Sequence, residues 1–195
     1  MQETWQARHL GQRALGLMAR RLGIEELGPE DLFAPPPASS HRSIPFEEAI
    51  EIIALAFTGF DPEMGEFARM MAERGWIDAA PTPNRRTGAY CTKFADPVEP
   101  RVFITYAGTM DNVITLAHEL GHAWHNWLLR DLPLEQRDYP MTLAETASLF
   151  AETLVRDALL ARSQTREQRL DIAWMDGERV VSLLLDIPSR FHFER

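Results

Sequence analysis

The sequence contains a single cysteine and a single lysine in 195 residues. Cys91 alone cannot close an internal disulfide, which fits a reducing compartment and equally an exported protein without bridges; with neither a leader nor a membrane run in the sequence, the expected location is the cytoplasm. Twenty basic residues against 29 acidic ones leave a net charge of −9. The arginines are scattered rather than massed, which argues against a generic nucleic-acid or anionic-membrane surface, since such partners need clustered positive potential. Long apolar runs are missing too: none approaches the roughly 18 residues that a membrane helix needs, and no charged-then-apolar leader precedes a small-residue cleavage site. No internal repeat or low-complexity tract is present. What remains is 45% apolar content, enough to bury a core, and a single domain over residues 1–195 is the default expectation.

Periodicity and punctuation predict a mainly helical chain. Residues 3–22 form an amphipathic pattern with Leu10, Leu15, Leu17, Met18 and Leu22 on its apolar side, ending near Gly23. The stretch Ala34 to Ser40 reads as a loop. Ser43 is placed to cap a helix over about 44–58, and Asp61 with Pro62 to open one that stops at Gly75. Loop composition over 79–88 leads into GAYCTKF (88–94) and RVFITY (101–106), two β-rich runs expected to be adjacent strands. Asp111 is placed to cap a long helix to about Arg130, and another spans about Met141 to Arg162. Thr165 with Gln168 resembles a capping box opening a last helix, which Pro188 kinks or ends.

The chemistry is concentrated in the long helix. His118 and His122 are four residues apart, so their imidazoles project about 40° from each other one turn along, and both can reach one tetrahedral cation. Glu119 lies beside them, where a carboxylate can take a proton from a metal-activated water as general base. With six His and 18 Glu in the chain, composition alone gives only about 0.02 chance HExxH matches. Glu119 is also the only formally charged side chain between Asp111 and Arg130, in a helix otherwise rich in Leu, Val, Ile and Trp, where an ionisable group without a purpose would be costly. His125 lies about 10.5 Å along the axis from His118, too far to share the same ion. It either supports a metal ligand from behind or is a core residue. The metzincin pattern fails, since it wants Gly at 125 and His at 128, where the chain has His and Leu.

A third ligand must come from elsewhere. In the helix from 141, Glu145, Ser148 and Glu152 fall at i, i+3 and i+7 as one polar stripe on an otherwise apolar segment. Glu145 completes the His2Glu set of an open catalytic zinc site, and Glu152, two turns on, is placed to orient a histidine ligand.

TLAHELGHAWH (115–125), TLAETASLFAE (142–152), RRTGAYCT (85–92), RVFITYAGT (101–109) and the run 45–68 together resemble, in order and spacing, the catalytic segment of oligoendopeptidase F and its relatives thimet oligopeptidase and neurolysin. The resemblance implies a zincin-like catalytic core, mainly α with a small sheet beside the HExxH helix. It implies one Zn2+ per chain on His118, His122 and Glu145, with Glu119 catalytic, and a cytosolic metalloendopeptidase acting on short peptides. RVFITY resembles the edge strand along which the peptide lies, with Tyr90 and Tyr106 either lining the cleft or serving as aromatic core. Family members also carry an N-terminal region and a C-terminal segment with His and Tyr residues that stabilise the reaction intermediate. This sequence stops before that segment, so the expectations are low turnover of the isolated chain or, alternatively, a truncated non-catalytic zinc-containing module that binds peptides.

Overall fold

The computed structural model describes residues 5–31, 34, 42–95 and 98–195. In chain order its elements are helices α1 (Arg8–Leu22), α2 (Phe46–Thr58) and α3 (Pro62–Glu73), strands β1 (Ile77–Asp78), β2 (Ala89–Ala95) and β3 (Val98–Ile104), then helices α4 (Met110–Leu128), α5 (Met141–Arg162), α6 (Arg166–Val181) and α7 (Ile187–Phe193). The chain is mainly α with one small sheet, as the periodicity predicts. The described residues fall into two compact units, those of Met1–Ser40 with Arg162–Arg195 and those of His41–Ala161.

In the first unit α1 packs on α6. Gly23 ends α1 with a left-handed φ of 75°, the conformation that a residue without Cβ adopts freely. Met18 and Ala19 are buried, but Leu10 and Leu17 of the expected apolar side are exposed. Thr165 and Gln168 form the expected capping box. A π-helical turn, Ser182–Asp186, separates α6 from α7 just before Pro188. Proline lacks the N–H that would continue the ladder, and the wider turn absorbs the break. Of the Ala34 to Ser40 loop, only Ala34 is among the described residues.

In the second unit α2 and α3 pair and both touch α4, whose other side covers β2 and β3. Ile53, Phe57, Met64, Met71, Leu116 and Leu120 are among its fully buried side chains. Two helix starts differ from expectation. Ser43 does not cap α2: Pro45 occupies the N-cap position, and a residue before proline is kept out of the helical region, so no helix can begin at Ile44. Thr109, not Asp111, caps α4, its hydroxyl accepting from the Asn112 N–H at 3.1 Å. Asp111 lies in the first turn, where an acid favours the positive end of the helix dipole.

The sheet also departs from the two expected strands. Among the described residues it has three, ordered β1-β3-β2, with β2 antiparallel and β1 parallel to β3. β1 escaped the sequence reading because only Ile77 and Asp78 are involved, aligned to β3 by the Trp76 carbonyl accepting from Val102 N–H at 2.9 Å. RVFITY therefore contributes the central strand, its ladder used on both sides, and among the described residues the strand with a free edge next to α4 is β2.

Candidate metal centre

α4 buries Val113, Leu116, Ala117, Leu120 and Ala123 completely, which fixes its rotation and turns His118 and His122 together toward α5. The two Nε2 atoms lie 3.2 Å apart. Oε2 of Glu145 reaches His118 Nε2 at 3.1 Å and His122 Nε2 at 3.5 Å. These three residues are the only His, Cys, Asp or Glu group with metal-ligand convergence found among the described residues. The edges of a tetrahedron with bonds of about 2.0–2.1 Å measure about 3.4 Å, so the triangle has the size a small tetrahedral cation requires. The donor set fits as well. Two ring nitrogens and a carboxylate oxygen facing one another at these distances repel unless a proton or cation lies between them. Glu145 is 55% exposed, which leaves one side of the triangle open.

Glu152 is buried, and its Oε1 accepts from His118 Nδ1 at 2.6 Å. A carboxylate can only accept, so Nδ1 carries the proton and the neutral ring presents the Nε2 lone pair toward Glu145. Burial opposes the charged imidazole of His118, but the hydrogen bond and charge of Glu152, with Glu119 and Glu145, raise its pKa. Burial and the neighbouring His118 lower that of His122. Two further residues hold the acids. Arg156 Nη1 pairs with Glu152 Oε2 at 2.7 Å, and the buried Ser148 hydroxyl donates to Glu145 Oε2 at 2.7 Å. Ser148 was visible in the polar stripe. Arg156 was not, although its i+4 spacing from Glu152 was a signal that could have found it.

Glu119 lies outside the triangle. It is buried, and burial, with the charge of Glu145, pushes its carboxyl up to about 7 against the opposing effects of His118 and the Cys91 backbone N–H. That N–H belongs to β2, so Glu119 sits between the triangle and the edge strand. The Asn126 side chain also hydrogen-bonds Cys91 and accepts from the Tyr139 hydroxyl at 3.3 Å. α4 is thus fastened to β2 at one residue from two positions two turns apart, a link the sequence reading missed because neither Asn126 nor Cys91 stands in a motif.

The remaining candidates separate. His125 stacks on Tyr139 with ring centroids 4.3 Å apart, away from the triangle, and its buried Nδ1 has no partner among the described residues. Tyr106 is buried with its hydroxyl donating to the Ile44 carbonyl at 2.8 Å, which places it in the core. Tyr90 is 56% exposed and stacked on its cross-strand neighbour Phe103, on the sheet face opposite Cys91. No helix among the described residues is long and apolar enough to cross a membrane.

A family model described as peptidase family M3 matches residues 56–179. An oligoendopeptidase F homolog of Lactococcus lactis subsp. lactis (strain IL1403) is 28% identical over 170 residues, covering 86% of this chain and 28% of that protein. Oligopeptidase PepF of Bacillus subtilis (strain 168) is 27% identical over 161 residues, covering 82% of this chain and 24% of that protein. A crystal structure described as a peptidase from Chlamydophila abortus superposes with a TM-score of 0.78 at 27% identity, over 93% of this chain and 30% of that one. The chain spans less than a third of the length of each of these proteins.

Proposed function

Because the chain belongs to peptidase family M3, we propose that residues 1–195 are the catalytic core of a zinc-dependent oligoendopeptidase, with His118, His122 and Glu145 holding one Zn2+ and Glu119 acting as general base on short peptides. The observation that carries this reading is the triangle of two Nε2 atoms and Oε2 at 3.1–3.5 Å, with a buried carboxylate beside it rather than in it. When bound, zinc supplies Lewis acidity, lowering the pKa of a water and polarising a peptide carbonyl.

The chain's own residues divide the remaining work. Glu119 accepts the proton of the attacking water and passes it to the leaving amine. Glu152, itself held by Arg156, keeps His118 in the tautomer that offers Nε2. Ser148 orients Glu145. The free edge of β2 offers backbone donors and acceptors to an extended peptide, which gives affinity with little dependence on side chains, and Cys91 ties that edge to Glu119. The intact Glu119 favours catalysis over a purely structural zinc site, which has four protein ligands and no need of a base. The proposed compartment is the cytoplasm, which the single cysteine suits.

The test is elemental analysis of the purified chain together with cleavage of a fluorescence-quenched peptide. One zinc per chain with chelator-sensitive cleavage is expected. Zinc without any cleavage would point to a non-catalytic peptide-binding module, and absence of zinc would sink the reading.

A further inference from the structure

A cavity of about 370 Å³ opens beyond the C-terminal end of α4, walled by the indoles of Trp76 and Trp127 and lined also by Arg74, Arg130 and Arg137. It shares no residue with the metal triangle, Glu119 or their supports. The guanidiniums of Arg74 and Arg101 lie 5.0 and 4.5 Å from the Trp76 ring centroid, and that of Arg130 lies 4.3 Å from the Trp127 centroid. A guanidinium stacked on an indole is held by cation–π attraction while its in-plane N–H groups stay available, and that planar fork matches the two oxygens of a carboxylate or phosphate.

Two carboxylates, Glu99 and Asp131, also line the cavity, and where their charge goes decides what the cavity can hold. Glu99 is engaged by Arg101 at 2.5 Å, a cation not counted in the lining. Asp131 faces Arg130 Nε at 3.5 Å, and Arg130 also donates to the Trp127 carbonyl at 2.8 Å. Arg137 is anchored through Nε to the Leu132 carbonyl at 2.7 Å. The Arg74 side chain is exposed and makes no hydrogen bond or ion pair among the described residues, its guanidinium resting on Trp76. With Glu99 and Asp131 each facing an arginine, Arg74 leaves a local surplus of positive charge among the described residues of a chain of net charge −9, beside apolar walls, which attracts and retains anions.

We propose that this cavity is an oxyanion site, binding the phosphate or carboxylate group of a small ligand through Arg74 in the field of Arg130 and Arg137, with the two indoles packing against the ligand's body. The site is separate from the peptidase reading and stands or falls independently of it.

The test uses the five tryptophans as reporters. The indole N–H signals of the full chain, assigned by through-bond NMR, are followed at constant ionic strength during titration with inorganic phosphate. Parallel titrations use N-acetylglycine and its uncharged amide. Saturable shifts centred on Trp76 and Trp127 are expected with at least one of the two anions and not with the amide. A response to phosphate alone assigns a phosphate ligand, and a response to N-acetylglycine alone a peptide-like carboxylate. Arg74→Ala should weaken binding about tenfold, the loss of one charge-assisted hydrogen bond, with Arg74→Lys intermediate. No saturable shift, shifts spread equally over all the indoles, or binding unchanged in Arg74→Ala would each overturn the proposal.

Discussion

Gly121 and Ser148 are packed so closely that a Cβ at position 121 would stand 2.8 Å from the Ser148 Cα, and 2.7 Å from both the Ala147 carbonyl oxygen and the Ala151 Cβ. Two of these are backbone atoms of α5, which cannot yield without moving the helix. Glu145, Ser148 and Glu152 all ride on that helix, so the missing side chain at 121 sets the distance between histidines and acids. Gly121→Ala is expected to cost about 1–3 kcal/mol of stability through overpacking and to weaken zinc retention as well. Thermal denaturation and competition with a chromogenic chelator measure the two effects. Parent-like zinc affinity in this variant would show that the contact does not set the metal geometry.

The hydrogen bond from His118 Nδ1 to Glu152 predicts a graded effect on the metal. Glu152→Gln keeps an acceptor but loses the charge that Arg156 balances, and removal of such an orienting partner typically lowers metal affinity about 10- to 100-fold. Glu145→Ala deletes a charged ligand and should lower it further. Chelator competition on both variants gives the order. If Glu145→Ala holds zinc as tightly as the parent, the third ligand lies elsewhere, and the acids of the 131–138 loop come next.

These supports mark the limit of what the sequence made legible. HExxH and the polar stripe at 145, 148 and 152 announce themselves through helical spacing, because both partners of each pair sit on one helix. The bond between His118 and Glu152 crosses 34 residues, and the stripe could only suggest it. The fastening of Asn126 and Glu119 to Cys91 depends on how far β2 lies from α4, which no periodicity encodes. Helix starts were misplaced where a neighbour overrode the usual cap preference, Pro45 in one case and Thr109 in the other. The role of RVFITY was misjudged because pairing on both sides required β1, which is too short to carry a pattern of its own.

Two acidic groups predict how stability responds to alkali. Burial, then the Glu119 carboxylate, pushes the Cys91 thiol up to about 12, and burial, then Glu48, pushes the Tyr106 phenol up to about 12. Unfolded values are about 8.5 and 10. Between those values and 12 the folded chain holds protons that the unfolded chain has released, so stability falls as pH rises through this window. Urea melts between pH 8 and 11 should show the decline, and Cys91→Ala should remove its lower part. The same shift makes the native thiol slow toward iodoacetamide at pH 8, with rapid reaction on unfolding. A flat stability profile together with fast native alkylation would contradict both assignments.

Glu119→Gln separates the two things a carboxylate next to a histidine ligand can do. The amide has nearly the same shape and can still accept the Cys91 N–H, so the tie between α4 and β2 should survive. It cannot take a proton from water, so cleavage of a quenched peptide should fall by about 100- to 10,000-fold, the usual contribution of a general base. Zinc content should stay at one per chain, since Glu119 lies outside the triangle of His118, His122 and Glu145. Removing a buried charge should also leave the metal-free variant at least as stable as the parent, because an ionised carboxylate with little solvent is costly to hold. Activity, zinc content and melting temperature of the same preparation decide the matter. Loss of zinc would make Glu119 part of the metal's support, and cleavage at the parent rate would place the base on another residue.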